Sequence, residues 1–115
     1  MKKVLVTSRS FSTGDIDLVK YLAENDCQVV VADSKHELNE LSKELPTTDA
    51  WIAGTAPITQ EMISLATKLK VIARYGVGFE SVDLNAAKTK NIVVTNTPGA
   101  NSLAVAELTL ALILN

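Results

Sequence analysis

Short apolar runs alternate with segments of mixed polarity along the 115 residues. The runs are rich in Val, Ile and Ala, which is typical of buried strands. They predict strands at Val4–Val6, Gln28–Ala32, Ala50–Ala53, in the apolar run from Val71 that precedes Arg74, and at Ile92–Thr95. The segments between them carry apolar residues at helical spacing, and several begin with a residue that caps helices. They predict helices at Asp15–Glu24, Lys35–Glu44, from Thr59 to about Leu69, Asp83–Asn91 and Asn101–Leu114.

The second predicted helix depends on a capping motif. Ser34 and Glu37 have the spacing of a capping box, in which the two side chains bind free N–H groups at the helix start. Pro46 then ends the helix, because proline cannot continue the hydrogen-bond ladder. His36 falls in the first turn, and we expect its side chain to be exposed to solvent.

Strands and helices alternate with short connections, which favours a parallel sheet covered by helices on both faces. We predict a flavodoxin-like, doubly wound α/β fold with five strands in the order 2-1-3-4-5, followed by a C-terminal connecting helix. In such sheets ligands bind beyond the carboxyl ends of the strands, where the strand order reverses. The loops after the first, third, fourth and fifth strands open at that edge.

A glycine pair follows the fourth strand. In Arg74-Tyr-Gly-Val-Gly78 the glycines let the backbone approach a ligand closely, and consecutive N–H groups at such a turn can hold an anion. The same residues also fit a plain tight connection between a strand and a helix. A second polar turn, Asn96-Thr-Pro-Gly99, follows the fifth strand and favours the ligand-binding interpretation.

Composition and charge exclude several classes of partner. Eleven basic and thirteen acidic residues give a net charge of −2 without an arginine-rich run, so we expect no nucleic-acid partner. A single Cys27 and a polar N-terminus followed by a short apolar run predict a cytoplasmic location. The apolar segment Leu103–Leu114 is too short for a membrane span, so we expect no membrane partner. The sequence contains no recognisable metal-ligand cluster.

The last predicted helix is apolar on almost every side, with Glu107 and Thr109 as its interior polar residues. Such a helix requires cover all round, which a domain of this size does not easily provide. We therefore expect the polypeptide to be a piece of a longer protein. We also expect the chain alone to form a homodimer through leucines exposed on several faces of this helix.

Several spaced motifs occur together between Val71 and Leu112. They are Arg74-x-Gly-x-Gly78, Val82-Asp83, Ala86-Ala87, Asn96-Thr-Pro-Gly99, Asn101-Ser102 and Ala104-Val-Ala-Glu-Leu-Thr109. In this combination the chain resembles the D-isomer-specific 2-hydroxyacid dehydrogenases, most closely their D-3-phosphoglycerate dehydrogenase branch. The resemblance is weaker before Ala50, where only the alternation of strands and helices matches.

The resemblance implies a domain arrangement and an activity. Residues 1–100 are expected to be the first segment of a flavodoxin-like substrate domain and residues 101–115 the interdomain connecting helix, with an NAD-binding Rossmann domain outside this chain. The whole protein is expected to be an NAD-dependent oxidoreductase acting on a D-2-hydroxy acid and its 2-keto acid. 3-Phosphoglycerate is one candidate substrate, and the isolated chain is expected to be inactive.

The resemblance also implies roles for particular residues. The backbone N–H groups of Val77 and Gly78 bind the substrate carboxylate, in a turn shaped by Tyr75 and Gly76. The nicotinamide is contacted by Val77 and Val105. Gly54 and Thr55 line the substrate pocket, and Asn101 lies at the hinge. The third-strand loop reads Ile52-Ala-Gly-Thr55 and lacks the arginine that many phosphoglycerate dehydrogenases carry there, which leaves the identity of the 2-hydroxy acid open.

No catalytic residue is assigned to this chain, because the histidine, carboxylate and arginine used by the family belong to its nucleotide domain. Gly76-Val-Gly-Phe-Glu-Ser81 begins like a dinucleotide fingerprint, but Ser81 stands where the third glycine allows close helix packing. We therefore do not predict an NAD site at this turn. Cys27 is interpreted as a core residue because no histidine accompanies it.

Two other functional classes were weighed. A receiver-type signalling domain shares the five-strand alternation but needs acidic residues at the ends of the first and third strands, and these ends read Val6-Thr-Ser-Arg9 and Ile52-Ala-Gly54. A noncatalytic ligand-binding or regulatory domain stays open, because this fold hosts many functions. A further strand followed by Gly-x-Gly-x-x-Gly beyond residue 115 would favour the dehydrogenase.

Overall fold

The computed structural model describes residues 1–8, 17–32, 35–74, 81–96 and 102–114. Five strands form one sheet in the order β2-β1-β3-β4-β5, and every neighbouring pair is parallel. The strands are β1 Lys2–Val6, β2 Cys27–Val31, β3 Ala50–Ala53, β4 Val71–Arg74 and β5 Val93–Asn96. The predicted α/β fold and its strand order are confirmed.

Five α-helices lie between and after the strands. They are α1 Leu18–Glu24, α2 Leu38–Leu41, α3 Gln60–Leu65, α4 Leu84–Thr89 and α5 Ser102–Leu114, and a 3₁₀ turn spans Leu45–Thr47. Three of the helices begin at a side-chain cap, because Asp17, Thr59 and Asp83 each accept a hydrogen bond from a backbone N–H of the first turn. The predicted starts of α3 and α4 at Thr59 and Asp83 are thus confirmed.

Both faces of the sheet are buried under helices. On one face Val4, Val6 and Ile52 pack with residues of α1 and α5, including Leu22 and Leu110. On the other face Leu5, Trp51 and Ile72 pack with residues of α2, α3 and α4 and of the 3₁₀ turn; these are Leu41, Leu45, Met62, Ile63 and Ala87. A sheet covered on both sides has near-continuous apolar strands, which explains the unbroken apolar runs of the sequence.

The predicted helix Lys35–Glu44 is wrong in its extent. The structure has only the four residues Leu38–Leu41 in α2, followed by the 3₁₀ turn. His36 has a φ of 58°, which is left-handed backbone that an α-helix cannot contain, and Glu37 is extended at the N-cap without a side-chain cap. Ser34, the predicted partner in the capping box, lies outside the described residues.

Helix α5 is covered on one face by its own domain. Val105, Ala106, Thr109, Leu110 and Ile113 are buried against the sheet and α1. The polar Thr109 is satisfied there, because its Oγ1 donates to the carbonyl oxygen of Val105 at 2.8 Å. Among the described side chains of α5, Leu108 is the exposed leucine, at 36%. The prediction of leucines exposed on several faces is therefore wrong in extent, because one face of α5 is already core.

Within the described part of the chain, no helix has the length and apolar character needed to cross a membrane.

Candidate functional site

The carboxyl ends of β1, β3, β4 and β5 lie side by side, as the register requires. Val6 is level with Ile52, Ile52 with Ala73, and Ala73 with Thr95. The described residues that follow β1 and β3, which begin at Thr7 and Gly54, therefore lie at one edge of the sheet. This is the edge at which ligands bind in doubly wound folds.

The loops after β1 and β3 touch at this edge. A Cβ built on Gly54 would lie 3.5 Å from Ser8 Cα and 3.7 Å from the carbonyl oxygen of Thr7, which are ordinary contact distances. Gly54 is half-buried and Thr55 is exposed, so both predicted pocket residues lie at the surface of this edge. The backbone of Thr7 is fixed to β3, because its N–H donates to the carbonyl oxygen of Ile52 at 2.9 Å.

Of the remaining predicted site residues, the structure describes Val105 alone. Val105 is fully buried in the core between α5 and the sheet, so its predicted contact with the nicotinamide stays a prediction. Tyr75, Gly76, Val77, Gly78 and Asn101 lie outside the described residues. Their proposed roles rest on the segments that flank them.

His36 is buried, and the prediction of an exposed side chain is wrong. Its exposed fraction is 5%, and its ring packs against Trp51 with 5.1 Å between ring centroids. His36 Nε2 lies 2.7 Å from Thr7 Oγ1, and His36 Nδ1 lies 2.8 Å from the carbonyl oxygen of Pro57. The left-handed backbone at His36 turns the side chain inward, toward the end of β1 and the loop after β3.

These distances determine the protonation pattern of the ring. A carbonyl oxygen only accepts hydrogen bonds, so His36 Nδ1 carries the proton that is donated to Pro57. In the neutral ring Nε2 is then an acceptor, and Thr7 Oγ1 donates to it. The same Thr7 oxygen accepts from Trp51 Nε1 at 2.9 Å. A directed chain of hydrogen bonds thus runs from Trp51 through Thr7 and His36 to Pro57.

A second set of hydrogen bonds joins the loop after β3 to Ser81 and joins Ser81 to Arg74. These two residues flank the glycine segment. Arg74, which precedes that segment, is buried, and its Nη1 donates to the Oγ of Ser81, which follows it, at 2.8 Å. The N–H of Ile58 donates to the carbonyl oxygen of Ser81 at 2.7 Å. The N–H of Asp83 donates to the carbonyl oxygen of Ile58 at 3.0 Å. The two residues that flank segment 75–80, Arg74 and Ser81, are therefore bonded to each other, and Ser81 is also bonded to the loop after β3.

Two polar features lie away from this edge. Burial, aided by the carboxylates of Asp26 and Asp49, raises the pKa of the Cys27 thiol, so this thiol stays neutral and unreactive, as its interpretation as a core residue requires. At the amino end of the sheet, Lys3 Nζ lies 2.5 Å from Glu44 Oε2 and 2.6 Å from Thr47 Oγ1. In the described residues no three side chains of the His, Cys, Asp or Glu type are grouped to hold a metal ion.

Sequence reasoning missed the roles of Thr7, His36 and Ser81. One signal could have corrected the prediction that His36 lies in a helix. The apolar pattern of α2 begins only at Leu38 and continues through Leu41 and Leu45 on the buried side. Nothing in the sequence indicated the bond between Arg74 and Ser81, because it joins residues across a segment whose conformation the sequence does not specify.

Comparison with known proteins agrees with this architecture. The sequence model of the family described as D-isomer specific 2-hydroxyacid dehydrogenase, catalytic domain, matches residues 4–111. A D-3-phosphoglycerate dehydrogenase of Methanocaldococcus jannaschii is 38% identical over a match 115 positions long, which covers 99% of this chain and 21% of that protein. A hydroxypyruvate reductase of Thermotoga maritima is 38% identical over 94 residues, covering 81% of this chain and 31% of the relative. The chain thus spans a fifth to a third of the length of these relatives.

A solved structure extends the likeness to three dimensions. The NAD⁺-bound 3-phosphoglycerate dehydrogenase of Entamoeba histolytica superimposes with a TM-score of 0.74 and is 28% identical in sequence. The match covers 93% of this chain and 36% of that structure. The fold described above therefore matches part of a longer chain in that structure.

Proposed function

The chain belongs to the D-isomer specific 2-hydroxyacid dehydrogenase family, and from that membership we propose that it supplies the substrate site of an NAD-dependent oxidoreductase. The reaction is the interconversion of a D-2-hydroxy acid and its 2-keto acid. Residues 1–100 are the first segment of the substrate domain, and residues 101–115 are the helix that connects it to a Rossmann domain outside this chain.

The substrate carboxylate binds at the glycine segment. The N–H groups of Val77 and Gly78 hold the anion, with Tyr75 and Gly76 shaping the turn. The observation that carries this proposal is the bonding of the two residues that flank the segment, by the 2.8 Å bond between Arg74 and Ser81 and the 2.7 Å bond between Ile58 and Ser81. An anion site made of backbone groups needs such a fixed frame, because preorganised donors cost no reorganisation when the ligand arrives.

The remaining assigned residues complete the site. Gly54 and Thr55 line the substrate pocket from the loop after β3, and their position beside Ser8 at the carboxyl edge supports this role. Val77 contacts the nicotinamide, and Asn101 lies at the hinge between the domains. The same contact is proposed for Val105, although its side chain is fully buried within this chain. These residues bind and orient; none of them moves a proton.

The chain's own residues do not fit a complete dinucleotide site. The fingerprint requires a third glycine where this chain has Ser81, and the Ser81 hydroxyl is committed to Arg74. NAD is therefore held mainly by the domain outside this chain. When bound there, the cofactor supplies the hydride chemistry, and the acid–base residue belongs to the same domain. His36 does not take that role, because both ring nitrogens are bonded within the protein.

Activity of the complete protein tests the proposal. The full reading frame that contains residues 1–115 would be expressed and assayed for NADH oxidation with hydroxypyruvate and with 3-phosphohydroxypyruvate, since the relatives are named for such substrates. We expect reduction of at least one of the two acids. A protein that binds either acid but never oxidises NADH would instead be a noncatalytic ligand-binding domain.

Location and assembly are further parts of the proposal. A cytoplasmic enzyme is supported by a buried, unpaired thiol at Cys27. Self-association through α5 is supported by the exposure of Leu108 on the face of the helix that its own domain leaves open. A homodimer is the simplest closed assembly that covers such a face.

A further inference from the structure

His36 lies behind the proposed substrate site and joins its parts. Its two ring nitrogens contact the end of β1 through Thr7 and the loop after β3 through Pro57. Its ring also packs against Trp51 of β3, which is fully buried. One side chain thus contacts two of the segments that open at the carboxyl edge.

The backbone at His36 indicates that this position is selected for its side chain. A φ of 58° is unfavourable for any residue with a Cβ, and glycine or asparagine adopts it more easily. A strained residue at a ligand-binding edge persists when its contacts over-determine its conformation. Here those contacts are the two hydrogen bonds and the tilted ring contact with Trp51.

The bond from His36 to Pro57 continues directly into the frame of the glycine segment. Pro57 is followed by Ile58, whose N–H donates to Ser81 and whose carbonyl accepts from Asp83. Ser81 in turn accepts from Arg74 at the start of the segment. Pro57 is therefore bonded to His36, and its neighbour Ile58 is bonded to Ser81.

We propose that His36 is a positioning residue of the substrate site: its Nδ1–H bond to the Pro57 carbonyl holds the loop Gly54–Pro57 in the position that the 2-keto acid requires. The inference rests on the proposed function for its substrate. Loss of this bond weakens substrate binding while the chemistry, carried by groups of another domain, continues at an unchanged rate.

Two matched variants separate the two bonds of His36. The amide nitrogen of asparagine takes the place of Nδ1, so His36→Asn keeps the donor to Pro57, and asparagine tolerates the left-handed backbone. Glutamine places its amide where Nε2 lies, so His36→Gln keeps a partner for Thr7 and removes the donor to Pro57. Both variants lose the ring contact with Trp51, and they differ in volume by one methylene group, so folding of each is checked separately.

Kinetics of the full-length protein give the first readout. We expect His36→Gln to raise the KM for the 2-keto acid about tenfold, the factor that the loss of one hydrogen bond produces. We expect kcat of His36→Gln, and both constants of His36→Asn, to stay within about twofold of the unmodified protein. Equal KM values in the two variants, with both folded by thermal unfolding, would overturn the proposal.

Nuclear magnetic resonance of this chain gives a readout that does not depend on catalysis. Long-range ¹H–¹⁵N correlations should show His36 protonated at Nδ1 and unprotonated at Nε2. The amide signals of Gly54, Thr55 and Ile58 should move in His36→Gln and stay close to their original positions in His36→Asn. The opposite tautomer, or equal shifts in both variants, would overturn the positioning role. If no 2-keto acid is reduced while these signals behave as expected, the proposed function fails and the structural role of His36 stands.

Discussion

Thr7 is the centre of the buried hydrogen-bond chain, because its one hydroxyl accepts from Trp51 and donates to His36. Thr7→Val keeps the shape of the side chain but removes the hydroxyl that bonds to two buried groups, Trp51 Nε1 and His36 Nε2. We expect the free energy of unfolding to fall by about 2–4 kcal/mol, since each unsatisfied group costs about 1–3 kcal/mol. The midpoint and slope of urea unfolding measure this change.

Thr109→Val is the matched control. Thr109 is also fully buried, but its hydroxyl bonds only to the carbonyl of Val105 in the same helix. That carbonyl also accepts the ordinary helical bond from the backbone N–H of residue 109, so the valine variant should lose less than about 1 kcal/mol. Similar losses at both threonines would contradict a special contribution of the Thr7 hydroxyl to stability.

Lys3 holds the amino end of the sheet. Its Nζ bonds to the carboxylate and the carbonyl of Glu44 and to Thr47, and the residue is 9% exposed. Lys3→Met keeps the apolar stem and removes these bonds, and we expect a loss of about 1–3 kcal/mol in urea unfolding. Lys20→Met removes only the exposed pair with Glu24 at 4.0 Å, and should change stability by less than about 0.5 kcal/mol. Equal losses would contradict a special role for Lys3.

Among the elements, the strands were the most predictable. A parallel strand covered on both faces is mostly apolar, so Ala50–Ala53 was located at its observed bounds from composition. The fourth strand was predicted in the apolar residues before Arg74, and the structure adds Arg74 as its last residue. The starts of α3 and α4 followed from their caps at Thr59 and Asp83, which act through a local hydrogen bond.

Helix α2 and the site behind it were not predictable in the same way. The spacing of Ser34 and Glu37 fits a capping box, but the backbone at His36 is left-handed because its side chain bonds to Thr7 and Pro57. Those partners are 29 and 21 residues away in the sequence. Local patterns do not contain such long-range contacts, so tertiary structure overrode a plausible local signal.

The predicted self-association of the chain involves helix α5. Leu110 is buried in the core of its own domain, so a lysine there would unfold the chain rather than separate a dimer. Leu108 is 36% exposed and is the better probe. We expect the chain to sediment as a dimer at micromolar concentration and Leu108→Lys to shift it to a monomer, since a charge at a buried interface is costly. A monomeric unmodified chain would contradict association through α5.

At the scale of the molecule, we propose that this fold binds the acid and that another domain carries out the redox chemistry. The chain spans 21% of the length of the phosphoglycerate dehydrogenase relative. It also has Ser81, bonded to Arg74, where a dinucleotide site needs glycine. We expect calorimetric titration of NADH into the isolated chain to show no binding at micromolar concentration, and no turnover of hydroxypyruvate. Micromolar affinity would contradict this division of labour.

The central claim is that the glycine segment between Arg74 and Ser81 binds the substrate carboxylate through its backbone. The most direct test is the KM of Gly78→Val for the 2-keto acid in the full-length protein, with folding checked by thermal unfolding. A side chain at this position blocks approach to the N–H groups, so we expect KM to rise by at least about tenfold, equivalent to about 1.4 kcal/mol of lost binding, with a smaller rise in Gly78→Ala. An unchanged KM in a folded, active Gly78→Val protein would contradict the claim and make the segment a plain connection between β4 and α4.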